Sequence, residues 1–171
     1  MKKNTYKYYQ SLCEFAEAVT SVRSPNEVIN TIVEKVAIAV GAKACSVMLL
    51  ALDRKVLLHV ASCGLSEEYL KKGVVSAEKS VGGALTGEAM TFLNVAEDER
   101  IQYRDEARRE GIASILSVPM MFKGNAIGLI VVYTGEVRHF TRTDTYFVCA
   151  AANLGAIALQ NAKDMRLFGF T

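Results

Sequence analysis

Two pairs of β-rich runs, each folded about a short turn and separated by a long stretch with no long element of its own, restrict this 171-residue chain more than any other feature. Cys45–Leu50 and Val56–Ala61 are joined across Asp53-Arg54-Lys55 and read as one hairpin. Ser114–Phe122 and Ala126–Thr134 flank Lys123-Gly124-Asn125, residues that accept positive φ, and read as a second. Folding the first hairpin about its turn sets Ser46 and Cys45 across from Cys63, to within one residue of register. Its runs are apolar on both faces, so the sheet should be covered on both sides.

Helices flank these hairpins. Residues 5–22 repeat apolar side chains at Leu12, Phe15, Ala16, Val19 and Val22, which is helical spacing with one apolar stripe. Ser24-Pro25-Asn26-Glu27 is a start signal: Ser24 caps, Pro25 suits the first helical position and Glu27 completes a capping box. The helix it opens should bury Val28, Ile29, Ile32, Val33, Val36 and Val40 and stop at Gly41. Thr141 with Asp144 at its third position opens a last helix expected to run to about Arg166. Between the hairpins, residues 64–111 should hold short helices over 66–71, 83–88 and 103–110 and an extended piece over 91–95. Long irregular segments of this kind are usually lids or pocket covers. The order fits an α+β domain with one antiparallel sheet, terminal helices on one face and the irregular cover on the other. A single domain spans 1–171: an N-terminal helix to residue 23, sheet core and pocket cover over 24–140, and a C-terminal helix over 141–167.

The bulk numbers exclude several classes. Half the chain is hydrophobic (51%) and 22% is charged, a globular balance far from disorder. A net charge of +2, with the basic residues between Arg100 and Arg109 interleaved with acids, gives no case for nucleic acid. The four cysteines (Cys13, Cys45, Cys63, Cys149) form no CxxC pair and imply reduced thiols in the cytoplasm, with no metal framework. Residues 146–159 are too short an apolar run to span a bilayer, and no signal peptide opens the chain, so no membrane association is expected.

Five motifs, in this order, resemble the GAF domain family: Cys45-Ser46-Val47-Met48-Leu49-Leu50; Val81-Gly82-Gly83-Ala84-Leu85-Thr86-Gly87-Glu88 with Asn94-Val95; Ser114-Ile115-Leu116-Ser117-Val118-Pro119-Met120; Gly124-Asn125-Ala126-Ile127-Gly128-Leu129-Ile130; and Phe140-Thr141-Arg142-Thr143-Asp144. Each is weak alone, and the ordered set is specific. The resemblance implies a GAF/PAS-like, profilin-type architecture with about six antiparallel strands, a pocket under the cover, and dimerisation through the first and last helices. Family members commonly sense cyclic nucleotides, tetrapyrroles, haem or small metabolites and act on an output domain. This sequence has no segment left over for one, so it reads as a stand-alone sensor or the sensory part of a longer protein.

Positions matching the purine-contacting ones of cyclic-nucleotide-binding relatives are Ser46, Ser62, Cys63, Val81, Gly82 and Tyr103, with Arg109 and Ile112 in a loop of variable length. Val81 and Gly82 would offer apolar contact and backbone donors at a helix start, and Tyr103 a ring to stack on a planar ligand. The cyclic-nucleotide signature itself is broken. Phe140 and Asp144 match, Thr145 replaces the acid, and the two matching residues are explained as a packing residue and a capping acid. No Cys-His pair exists for a bilin, and mid-strand His59 reads as a packed residue, so the cofactor is unknown.

A cysteine-dependent methionine sulfoxide reductase, an activity of one family branch, needs a low-pKa thiolate beside a partner thiol. Residues 64–111 contain no cysteine, and no acid–base set or phosphate loop appears, so no catalysis is expected. The last helix is apolar around nearly its whole circumference, with Ala150, Ala151, Ala152, Gly155, Ala156 and Ala158 among Phe147, Val148, Leu154, Ile157 and Leu159. That excess points to a two-fold homodimer through residues 12–22 and 147–159. The reading is therefore a non-catalytic, small-molecule-sensing domain that dimerises and acts on an output protein. A thiol-dependent reductase and a purely structural dimerisation module are the alternatives.

Overall fold

The computed structural model describes residues 2–21 and 24–167, with side chains for 5–21 and 24–161. Val22 of the first stripe and the terminal residues 168–171 lie outside the described residues. Helices α1 (Lys2–Thr20) and α2 (Pro25–Val40) precede the hairpin β1 (Ala44–Leu50) and β2 (Val56–Cys63). The cover follows: α3 (Glu67–Leu70), β3 (Val75–Ser76), a 3-10 segment (Ser80–Thr86), β4 (Met90–Phe92) and α4 (Arg104–Arg109). The second hairpin, β5 (Ser114–Phe122) and β6 (Asn125–Thr134), leads to α5 (Arg142–Leu167).

All six strands form one antiparallel sheet in the order β3-β2-β1-β6-β5-β4. β1 and β6 are the central pair, and each hairpin adds a short strand at its outer edge. The two-residue β3 is too short to leave a sequence period. In the β1–β2 ladder Cys45 pairs with Cys63 and Ser46 with Ser62, ahead of a bulge after Val47. Lys123 (φ 48°) and Gly124 (φ 80°) make the second turn in the left-handed region, as its composition predicts. The expected short helix at 83–88 is instead the 3-10 segment three residues earlier, since Gly82 and Gly83 tolerate the tight turn that Gly87 closes.

The helix starts are the capping boxes read from sequence. The Ser24 hydroxyl accepts from the Glu27 N–H at 3.3 Å while Glu27 accepts from the Ser24 N–H at 2.9 Å. Thr141 and Asp144 do the same at 3.1 and 2.8 Å. Gly41 closes α2 in the left-handed conformation.

Alternation divides the core. Cys45, Val47, Leu116, Val118, Met120, Ile130 and Val132 face α2 and α5, with α1 over the seam between those helices. Met48, Leu57, Leu129, Val131 and Tyr133 face the cover. Each fully buried aliphatic or phenyl side chain contributes about 1.5–3 kcal/mol. In α1 the inward residues are Tyr8, Phe15 and Ala18, with Leu12 and Val19 half-buried. Ala16, expected in the stripe, is exposed because it lies one residue, about 100°, from Phe15. Tyr8 stacks on Phe147 at 4.2 Å.

Two expectations change. β2 is covered less fully than β1: Leu58 and Val60 remain exposed beyond the reach of α2. The apolar circumference of α5 is mostly accounted for within the chain. Phe147, Val148, Ala151, Ala152 and Ala156 are buried, and Gly155 admits Met120, Ile29 and Ile32 close to the helix axis. β5 takes one side of α5, and α1 and α2 take others.

Candidate functional site

Beneath the cover, β1 and β6 supply a floor of Met48 and Tyr133, with Ser46 beside them. The Ser46 hydroxyl lies 3.0 Å from the Tyr133 hydroxyl, and both residues are fully buried. Burial pushes the Tyr133 phenol well above its ordinary value, with the nearby Tyr69 adding to the shift. Tyr69 meets Tyr133 edge-on at 6.1 Å. Val81 closes the roof, its carbonyl accepting from the Ser117 hydroxyl at 2.9 Å, which ties the 3-10 segment to β5.

Gln102 and Tyr103 stitch the loop before α4 onto the short edge strand. Gln102 accepts from the Ser76 N–H at 3.0 Å and donates to the Val74 carbonyl at 2.9 Å. The Tyr103 hydroxyl donates to the same carbonyl at 2.7 Å. The chamber lined by Met48, Tyr133, Tyr69, Lys72, Val81 and Tyr103, among others, has a volume of about 20 Å³, room for one water.

Outside it lies an open groove of about 550 Å³ between α3 and α4. Ser66, Glu68, Tyr69, Lys71 and Lys72 form one wall and Glu106, Arg109 and Glu110 the other. Glu110 clamps the two helices together, accepting from the Ser66 N–H at 2.9 Å and its hydroxyl at 2.5 Å. Tyr69 and Lys72 line both spaces. Burial brings the Lys72 ammonium down to about 8, with Glu106 and Glu110 opposing the fall.

The residues proposed from sequence thus take different places. Val81 and Tyr103 line the chamber, and Ser46 supports its floor. Ser62 pairs with Ser46 on the neighbouring strand. Ile112 is a buried member of the cover-side core. Arg109 is exposed on the groove wall and pairs with Glu106 at 3.4 Å. Gly82 does not offer a free donor: its N–H closes the 3-10 turn onto the Lys79 carbonyl at 3.0 Å.

Cys63 turns away from the chamber. It shares a face with its partner Cys45, and its thiol donates to the Val33 carbonyl of α2 at 3.3 Å. Burial pushes the Cys45, Cys63 and Cys149 thiols up. Tyr69 and Lys72 carry no local sequence signal, since Tyr69 meets Tyr133 of β6, a residue distant in the chain. Among the described residues no group of three or more His, Cys, Asp or Glu side chains could hold a metal ion, and no helix is long and apolar enough to cross a membrane.

The model of the GAF domain matches residues 24–159. A relative from Salmonella typhimurium described as "Phosphoenolpyruvate-dependent phosphotransferase system" is 26% identical over 161 residues. That match takes in 92% of this chain and 21% of the relative, so the chain spans about a fifth of that protein's length. The GAF domain of a phosphoenolpyruvate-protein phosphotransferase from Coxiella burnetii superposes with a TM-score of 0.84 at 19% identity, covering 96% of this chain and 99% of that one. The free methionine-R-sulfoxide reductase of Neisseria meningitidis shares the fold at a TM-score of 0.77 and 15% identity, over 92% and 90% of the two chains.

Proposed function

The chain belongs to the GAF domain family, and from that premise we propose that it is a non-catalytic cytoplasmic sensor that binds a small molecule under its cover. In this reading it pairs with a second copy and passes occupancy to an output protein of the kind its relatives' name describes, a phosphotransferase. The observation that carries the reading is the two-part space under the cover. A polar–aromatic chamber and a groove of ligand size share Tyr69 and Lys72 in their linings. In this reading a ligand entering by the groove moves those two side chains and reaches Tyr133 and Val81. The chain has seven tyrosines and no tryptophan, and Tyr69, Tyr103 and Tyr133 all line the chamber. Ligand binding is therefore expected to change tyrosine fluorescence saturably, and a screen of nucleotides and metabolites without any saturable change counts against the sensor.

The small chamber favours one other reading, a structural dimerisation module with a closed pocket. Support for a dimer shifts from α5 to α1. Tyr6, Tyr9, Cys13, Ala16 and Thr20 recur at i, i+3, i+7, i+10 and i+14, and all five are exposed. Two-fold pairing along that stripe sets the two Cys13 thiols near one another. Mild oxidation is then expected to yield a covalent dimer, absent in Cys13→Ser. A monomer by sedimentation at tens of micromolar would contradict pairing.

The positions of the cysteines support the absence of reductase chemistry. A thiol attacking a sulfoxide must reach the ligand space as a thiolate, whereas Cys63 faces α2 and the Cys45 thiol is fully buried.

A further inference from the structure

We propose that Cys45 and Cys63 form a paired oxidation site, two thiols that a hydroperoxide converts to a disulfide across the first hairpin. They are direct partners in the β1–β2 ladder and share the face that packs on α2. Opposite residues of antiparallel strands have Cα atoms about 4.5–5.5 Å apart, and disulfides bridge Cα atoms about 4.4–6.8 Å apart. Rotation of the two side chains is therefore enough to form the bond, with both strands left in register.

The strand ends are pressed together where the pair sits. Gly64, with φ at 76°, follows Cys63, and a Cβ on it would stand 2.3 Å from the Lys43 carbonyl oxygen and 3.1 Å from the Ala44 Cα. Cys45 is fully buried and Cys63 half-buried, so an oxidant in solution meets Cys63 first. Burial pushes the Cys63 thiol up, the Cys45 backbone is near enough to hydrogen-bond its sulfur and draw it down, and Glu34 pushes it up again. Burial raises Cys45 as well, and the charge of a Cys63 thiolate adds to that rise. Raised thiols make the oxidation slow, and the pairing decides its product.

The peroxide takes two electrons from the sulfurs. The Cys63 thiolate attacks one peroxide oxygen, the O–O bond breaks, and a sulfenic acid forms as hydroxide leaves. The Cys45 sulfur then attacks that of Cys63, forming the S–S bond and breaking the S–O bond. Hydrogen peroxide departs as two waters, which carry away both thiol protons. Cys63 then no longer donates to the Val33 carbonyl of α2, and the residue that opens into the cover is tied to β1.

The test treats the whole chain with hydrogen peroxide, blocks the remaining thiols and maps peptides by mass spectrometry without reduction. Tryptic cleavage after Lys43, Arg54, Lys55 and Lys71 puts the two cysteines on separate peptides. The expected product is one peptide pair joined through Cys45 and Cys63, released by a phosphine reductant. The cross-link should also raise the melting midpoint by roughly 5 °C. Cys63→Ser, which keeps Cys13 and Cys149, is expected to lose both the joined peptide and the rise, with Cys45 left reduced. Three results overturn the proposal: Cys63 oxidised to a sulfinic acid without linkage, either cysteine linked instead to Cys13 or Cys149, or both still reduced once the exposed Cys13 has reacted fully. A midpoint rise that persists in Cys63→Ser overturns it as well.

Discussion

Replacing Asp144 by alanine is expected to lower the stability of the fold by about 3 kcal/mol, the usual loss when one member of a buried charged network is removed. The carboxylate accepts from the Tyr8 hydroxyl of α1 at 2.5 Å, from Arg138 at 3.2 Å and from the Thr141 N–H at 2.8 Å. Arg138 also donates to the Val40 carbonyl at the end of α2 at 2.6 Å. Its N–H donates to the Ser114 hydroxyl, which reaches the Leu93 carbonyl of the cover at 2.5 Å. One acid therefore ties the start of α5 to α1, α2 and the cover. Alanine would leave a half-buried guanidinium and a buried phenol without their partner.

Tyr8→Phe should cost only about 1 kcal/mol, since the carboxylate keeps its other donors. Denaturant titration separates the two, and a loss under 1 kcal/mol for Asp144→Ala would refute the network. Its pH dependence follows. Burial pushes the Asp144 carboxyl up, but the hydrogen bonds from Tyr8 and Thr141 and the charge of Arg138 outweigh it and hold the group low. A depressed acid contributes stability above its unfolded value of 3.8 and loses it as the pH falls through the folded value. The wild type should therefore lose more stability than Asp144→Ala on acidification through that range.

Gly82→Ala is expected to cost about 2–3 kcal/mol, an overpacking effect delivered to the cover alone. A Cβ there would stand 2.4 Å from the Ser76 carbonyl and 2.6 Å from that of Ala77. Both obstacles are backbone, so the 3-10 segment must lift away. Hydrogen exchange should rise over residues 76–87 while α2 and α5 stay protected. Uniform loss of protection, or none, would show that the cover is not an independent layer. Gly124→Asn is the control: its turn is open and left-handed, which asparagine tolerates.

The strands and helix ends were legible because each carries a local signature. Lys123-Gly124-Asn125 marks a turn, and the two capping boxes mark helix starts whatever packs on them. The pairing of Cys45 with Cys63 follows from the first turn, but the face they take does not. Both faces of β1 are apolar, so alternation says which residues share a side and not which side is the chamber. For that reason sequence alone does not settle the side taken by Cys63, which lies against α2. Gly82 is ambiguous in sequence for a related reason: a glycine at a helix start signals either a free donor or a close approach, and its neighbours at Ser76 and Ala77 show the close approach. The outer stripe of α1 was hidden because Tyr6 and Tyr9 count as apolar or polar by context.

In the sensory reading, the space bounded by Met48, Val81 and Tyr133 opens to hold a small molecule. Thermal melts of the wild type and of Val81→Phe, run against the same panel of nucleotides and metabolites, test it most directly. A true ligand at a hundred times its Kd adds about 2.7 kcal/mol, worth roughly 5–10 °C in a domain of this size. At least one compound is expected to raise the wild-type midpoint by that much and to leave Val81→Phe unmoved. Equal shifts in both proteins, or none in the wild type, would contradict it.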